Sequence, residues 1–228
     1  MSPLIGDSPK NREDFEQTFL MNATTCEWKP HPLYSVFTQY DQEYYLRQVQ
    51  AFLCKYKCFY AVSKTISPKK IIELGTLAGS SADAYLSAAP EAEYIGIDLF
   101  NLNTRHDDHS PWDPYDIARR LLESRGFRYQ LLKADLRSLS SLPGDADFVI
   151  VDAAHDFDNA YADLKLAMTA NPTFIFVDDS DDVNCARPAI EQFLSQDLNG
   201  SIDYTVHIAY TGGGLVIKLK TPADSSAS

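Results

Sequence analysis

The sequence predicts an α/β protein: a doubly wound, mainly parallel seven-stranded sheet with an N-terminal helical extension and a C-terminal antiparallel hairpin. Three observations predict it. After Pro68, short β-branched-rich runs alternate with helical segments, the pattern of βαβ units that carry helices on both faces of a sheet. The run Ile71-Ile-Glu-Leu-Gly-Thr-Leu-Ala-Gly-Ser-Ser81 passes from an apolar strand through a glycine-bearing turn into small residues at a helix start. The last two strand-like runs flank Thr211-Gly-Gly-Gly214, which reads as a hairpin turn.

Taken in order, residues 1 to about 30 are polar, with Ser, Pro and Asn spread through them, and predict an irregular, partly ordered segment. From Asp41 to Ser63 the residues Tyr45, Val49, Phe52, Leu53, Tyr56, Phe59 and Tyr60 recur at helical spacing, predicting an amphipathic helix packed on the sheet domain. With Phe37 and Tyr40 before it, the same helix can roof a substrate pocket. Residues 1–65 are therefore read as an extension and helical lid, 66–220 as the main domain and 221–228 as a disordered tail. Whether the extension is a lid or a dimer element stays open, and with it a homodimer.

The main domain predicts strands at Lys70–Leu74, Tyr94–Asp98, Tyr129–Asp135, Phe148–Asp152 and Phe174–Asp179, then the hairpin pair Tyr204–Tyr210 and Leu215–Lys220. Helices are expected at Ser80–Ala88, at Tyr115–Arg125 before Gly126, at Asn159–Thr169 before Asn171-Pro172, and at Val183–Leu194. Phe100–Pro114 is a polar loop holding His106, His109 and Trp112.

Bulk properties exclude several functions. With 228 residues there is room for one α/β domain and a modest extension. A formal net charge of -12 repels nucleic-acid phosphates and anionic membranes, and no Lys/Arg cluster interleaved with aromatics counters it. No run approaches the roughly 20 apolar residues of a membrane span, and Met1–Lys10 lacks the basic start and apolar core of a secretory signal. Cys26, Cys54, Cys58 and Cys185 form no Cys-x-x-Cys pair and read as free thiols of a reducing cytoplasm. The expected partner is a small molecule.

The layout Glu73-x-Gly75-x-x-x-Gly79, followed by Tyr94-Ile-Gly-Ile-Asp98, is that of a nucleoside-binding βαβ unit. It is neither the Gly-x-Gly-x-x-Gly of dinucleotide binders nor a P-loop with its lysine. Ligands of such sheets bind outside the carboxyl ends of the strands, and those ends carry Glu73, Asp98, Asp135, Asp152 and Asp178-Asp179. Gly75 and Gly79 allow close backbone approach. Ser80 and Ser81 offer donors at a helix N-terminus to a carboxylate, or serve tight helix–strand packing. Asp98 suits a ribose diol, and Glu73 acts indirectly by accepting bonds from the loop. For Asp98 and Asp135 a helix cap or turn role stays open.

The segment closely resembles the cofactor motif of class I S-adenosylmethionine-dependent methyltransferases, which implies S-adenosylmethionine as methyl donor and a Rossmann-like methyltransferase fold over 66–220. The resemblance assigns Asp135 to the adenine amino group. Downstream, Phe148-Val-Ile-Val-Asp-Ala-Ala-His-Asp-Phe157, Asp163-Leu164 and Phe174-Ile-Phe-Val-Asp-Asp-Ser-Asp-Asp182 resemble the small-molecule and natural-product O-methyltransferase branch, with its Asp-Gly-x-His and paired-acid motifs. What this implies is a magnesium ion held by Asp152, Asp178 and Asp179, with Asp182 a weaker fourth. Ala153 stands where that branch has glycine.

Three carboxylates at adjacent strand ends repel one another and need a cation or a raised pKa, and hard oxygen donors without cysteine favour magnesium or calcium over zinc. Backbone amides and the cofactor amino group are the alternative way to satisfy them. His155 is the candidate general base, with helix capping as its structural alternative and Asp152 as a second base. The Asn/Asp-Pro-Pro-Tyr/Phe signature of amino-group methylation is absent. The expected reaction is methyl transfer to a hydroxyl of a phenol, catechol or glycoside, with Phe37, Tyr40, Tyr44 and Trp112 as a flat wall. The alternatives are a methyltransferase-like pathway protein that performs other chemistry, such as hydroxylation, or a cofactor-binding subunit.

Overall fold

The computed structural model describes residues 11–31, 42–101, 113–153, 156–183 and 186–220, with side chains of the long second helix described from Leu53 onward. Seven strands form one sheet: β1 (Lys70–Leu74), β2 (Glu93–Asp98), β3 (Tyr129–Lys133), β4 (Phe148–Val151), β5 (Phe174–Asp178), β6 (Ile202–Ile208) and β7 (Gly214–Leu219). Their order is β3-β2-β1-β4-β5-β7-β6. β1 to β5 are mutually parallel, while β7 runs antiparallel to both β5 and β6. The expected hairpin is thus present, with β7 inserted between β5 and β6.

Among the described residues six α-helices accompany the sheet: α1 (Arg12–Thr24), α2 (Gln42–Ile66), α3 (Ser80–Ala88), α4 (Pro114–Arg125), α5 (Phe157–Met168) and α6 (Ala186–Gln196). Strand alternation sorts the core into two layers. Ile72, Leu74, Val149, Val151, Ile175 and Val177 pack with α5 and α6. Ile71, Phe148, Ile150, Phe174 and Phe176 pack with α1, α2 and α3.

One expectation is corrected here. Residues 12–24 are not irregular but helical, because the side chain of Asn11 caps the first turn by accepting from the Asp14 amide at 2.9 Å. α1 is then held by a single deep anchor. Phe15 is fully buried, with its ring centroid 6.4 Å from Phe174 and 6.2 Å from Tyr204. Burying such a ring stabilises the fold by about 1.5–3 kcal/mol. Trp28, also buried, donates from its indole nitrogen to Asp83 of α3 at 3.2 Å, and Arg125 of α4 donates to the same carboxylate at 2.8 Å. The extension is therefore stapled to the sheet domain. Cys26, Cys54 and Cys58 are free thiols. Residues 1–10, 32–41, 102–112, 154–155, 184–185 and 221–228 lie outside the described set, and with them the expectations for the first ten residues, Phe37, Tyr40, His106, His109, Trp112, His155, Cys185 and the tail; the side chains of Tyr44, Tyr45, Val49 and Phe52 lie outside it too.

Candidate active site

Register and alternation bring four acidic residues to one edge and one face. Ile97, Leu74, Val151 and Val177 stand side by side across β2, β1, β4 and β5. The next residue along each strand is therefore Asp98, Gly75, Asp152 and Asp178. Period-two alternation turns the three carboxylates, and Glu73 two positions before Gly75, toward the face covered by α2 and α3. Every strand that matters delivers its acid at its carboxyl end, as expected, although β3 stops at Lys133 and places Asp135 two residues further on.

Gly75 occupies the one point of that row where a side chain cannot stand. Its φ is +97°, and a Cβ added there would lie 2.1 Å from the Asp152 carbonyl oxygen. The turn and the end of β4 are pressed together, with Gly75 N–H donating to Ile97 O and Asp152 N–H to Leu74 O, both at 2.9 Å. Gly79, at φ +79°, caps α3 and lets Ala118 of α4 approach: an added Cβ would be 3.2 Å from it. Both glycines thus serve close packing around the turn, a role the motif alone did not separate from ligand approach.

Asp98 organises that turn. One carboxylate oxygen accepts from the Leu77 amide at 2.9 Å and the other from the Phe100 amide. A carboxylate offers about four lone-pair directions, so acceptor capacity remains for a diol. Asp135 caps a short 3₁₀ turn and is clamped by Arg137, which donates from its backbone amide at 3.1 Å and from Nε and Nη2 at 2.9 Å. That guanidinium holds the carboxyl below its ordinary range.

Glu73 differs from its expected role. It is wholly buried and accepts not from the loop but from the Tyr94 hydroxyl, while its Oε1 has no hydrogen-bond partner among the described residues. Burial raises its pKa to about 7. Tyr94 passes the chain on to Thr76 at 3.1 Å, so Glu73 fixes the turn through side chains. Ser80 meets the Tyr56 hydroxyl of α2.

Asp152, Asp178 and Asp179 converge as predicted: one carboxylate oxygen from each lies within 4.8 Å of the others. Asp179 reaches the group through a left-handed backbone, φ +51°, that folds the chain back after β5. Tyr210 donates to Asp178 Oδ1. A recess lined by the three acids and by Ala153, Ala160 and Leu164 adjoins them. Burial, then the neighbouring Asp178 charge, pushes the Asp152 carboxyl well above its ordinary value, opposed by Lys55.

Lys55 is the residue that sequence reading missed. From α2 its ammonium makes an ion pair with Asp178 Oδ2 and lies 4.0 Å from Asp179 Oδ1. Its side chain is only 16% exposed. Burial alone would depress its pKa, but Asp152, Asp178 and Asp179 outweigh that and raise it above the usual lysine value. The signal was available: Lys55 stands one helical turn before the buried Phe59, on the stripe that faces the core.

The donor set fits both expected groups. Three hard oxygen donors in mutual reach suit a magnesium- or calcium-type ion. The amides at the α3 N-terminus, beside the spare acceptor capacity of Asp98, suit a ligand that has both a carboxylate and a diol.

No protein-family model matches the chain, and no curated protein is similar to it in sequence. Solved structures share its fold. It is similar to the S-adenosylhomocysteine-bound methyltransferase PaMTH1 of Podospora anserina, with 18% identity, 96% of this chain and 100% of that one covered, and a TM-score of 0.58. The O-methyltransferase TomG of Streptomyces achromogenes, involved in tomaymycin synthesis and solved with S-adenosylmethionine, gives 17% identity over 90% and 98% of the two chains, at 0.56. The Bacillus cereus O-methyltransferase in complex with S-adenosylhomocysteine gives 17% over 96% and 94%, at 0.54. The fold is that of class I S-adenosylmethionine-dependent methyltransferases. Among the described residues, no helix is long and apolar enough to cross a membrane.

Proposed function

We propose that the protein transfers a methyl group from S-adenosylmethionine to a hydroxyl of a small molecule, assisted by a divalent ion. The observation that carries the reading is the row Asp98–Gly75–Asp152–Asp178 at the carboxyl edge of the sheet, with Asp179 folded back beside it. A nucleoside anchor and a cation-binding triad lie at one edge, separated by a glycine turn. That is the layout needed to set a methyl donor beside an acceptor oxygen.

In this reading Asp98 holds the ribose diol, and amides at the start of α3 hold the methionine carboxylate. Asp135 reaches the adenine amino group only as Arg137 yields part of its clamp. Asp152, Asp178 and Asp179 would hold the divalent ion, whose chemistry is to lower the pKa of an acceptor hydroxyl and fix its direction. His155 is the candidate general base for that hydroxyl, with Asp152 as the second. The strongly acidic chain, with its net charge of -12, favours a neutral or cationic acceptor over a polyanion.

The test is transfer of labelled methyl from S-adenosylmethionine to a panel of phenols, catechols and glycosides, with magnesium and with excess chelator. The proposal expects an O-methylated product that disappears with chelator and in Asp179→Asn. Full turnover in chelator would remove the metal from the reading, and transfer only to amine or thiol acceptors would remove the hydroxyl.

A further inference from the structure

We infer that Lys55 is the resident counter-ion of the Asp152, Asp178 and Asp179 triad, and that a divalent ion loads there only by displacing its ammonium. The inference rests on the metal-assisted reading above and concerns how that site is controlled. Its first support is spatial. Nζ is in ion-pair contact with Asp178 Oδ2 and 4.0 Å from Asp179 Oδ1, while the three acids present oxygens within 4.8 Å of one another. A space of that size holds one cation, so lysine and metal exclude each other.

The second support is that the lysine is held where it is. Its ammonium lies 5.5 Å from the centroid of the Phe59 ring. Phe59 is fully buried, stacked on Tyr85 at 5.0 Å and edge-on to Phe176 and Tyr210 at 5.4 and 5.8 Å. One turn of α2 is therefore locked into the aromatic layer beneath the site, and the Lys55 stem starts from a fixed point. Tyr56, next to it, reaches Ser80 at the start of α3. The same turn of α2 thus touches both the triad and the glycine turn.

The consequence is a site closed by the chain's own cation until something draws the ammonium away. Two ion-pair partners must be given up when it leaves, so lysine lowers the apparent metal affinity without contributing a ligand. Because Lys55 stands on α2, the N-terminal extension supplies the cation that closes the triad.

The experiment is Mn2+ titration of the full chain at one neutral pH, followed by the electron paramagnetic resonance signal of the free ion, for wild type, Lys55→Met, Lys55→Gln and Lys55→Met/Asp178→Asn. Circular dichroism melts check that each is folded, and Lys55→Gln stands in if Lys55→Met is not. The inference expects one Mn2+ per chain bound at least tenfold more tightly by the neutral variants than by wild type, and the gain lost in the double variant. Equal or weaker binding by the neutral variants, with wild type binding Mn2+, overturns the inference and leaves the metal reading standing. A gain that survives Asp178→Asn overturns it too, because the ion is then elsewhere. No binding by any folded variant overturns both.

Discussion

Gly75→Ala puts the geometry of the edge under the most direct strain. The substitution places a methyl group at φ +97°, 2.1 Å from the Asp152 carbonyl oxygen. To reach the 3.0 Å floor of real contacts, the turn and the end of β4 must part by about 0.9 Å. The left-handed backbone alone costs about 1–3 kcal/mol, or roughly 2–12 °C in melting temperature for a chain of this size. Gly200→Ala supplies the control: its φ of +82° is similarly unfavourable, but nothing lies within 4 Å of the added carbon. Differential scanning calorimetry should show Gly75→Ala melting below Gly200→Ala, the gap being the cost of the collision. Titration with S-adenosylhomocysteine should show Gly75→Ala at least tenfold weaker than wild type and Gly200→Ala unchanged. Equal melting and equal affinity for the two variants would refute the claim that the glycine turn is pressed against β4 to shape the site.

Other outcomes follow from the packing. Phe15→Ala should cost about 3–5 kcal/mol by urea unfolding, since the ring is fully buried against Phe174 and Tyr204; a loss under 1 kcal/mol would mean that α1 is not docked. Asp83→Ala takes the shared carboxylate from the Trp28 indole and the Arg125 guanidinium; because Arg125 keeps the Lys29 carbonyl and 31% exposure, the loss should be about 2–3 kcal/mol, below that of a fully buried pair. Asp163 on α5 is nearly inaccessible, and burial raises its pKa from the ordinary 3.8 to about 7. Its folded pKa exceeds the unfolded one, so its contribution is full below about pH 4 and is lost as pH rises through 7. The difference in unfolding free energy between wild type and Asp163→Asn should therefore drift by about 4 kcal/mol between pH 4 and pH 8, wild type losing ground; a flat difference would show the carboxyl to be ionised throughout.

The fold was legible because its elements repeat simple periods. β1 and α3 begin and end where their patterns predict, and β4 and β5 miss by one residue at Asp152 and Asp179, where the chain leaves the sheet to aim an acid. The convergence of Asp152, Asp178 and Asp179 was legible too, because parallel register carries consecutive strand ends to one row. What was not legible depends on contacts between distant segments. Residues 12–24 look polar because α1 is held by Phe15 rather than by an apolar stripe. Glu73 has the expected position but answers to Tyr94, a pairing that needs the β1–β2 register. Arg137 beside Asp135 and Lys55 among the acids are cations whose partners lie outside any motif. Lys55 could have been marked by its place on the Phe59 stripe, since a lysine on the buried side of a helix requires an anion opposite.

Calorimetric titration of the full chain with S-adenosylhomocysteine, run beside Asp98→Ala, bears most directly on the central claim. The account predicts one site per chain for wild type and at least tenfold weaker binding for the variant, equivalent to losing about 1.4 kcal/mol or more of charge-assisted hydrogen bonding to the diol, with an unchanged far-ultraviolet circular dichroism spectrum. No heat from wild type, or the same affinity in a folded Asp98→Ala, would contradict it.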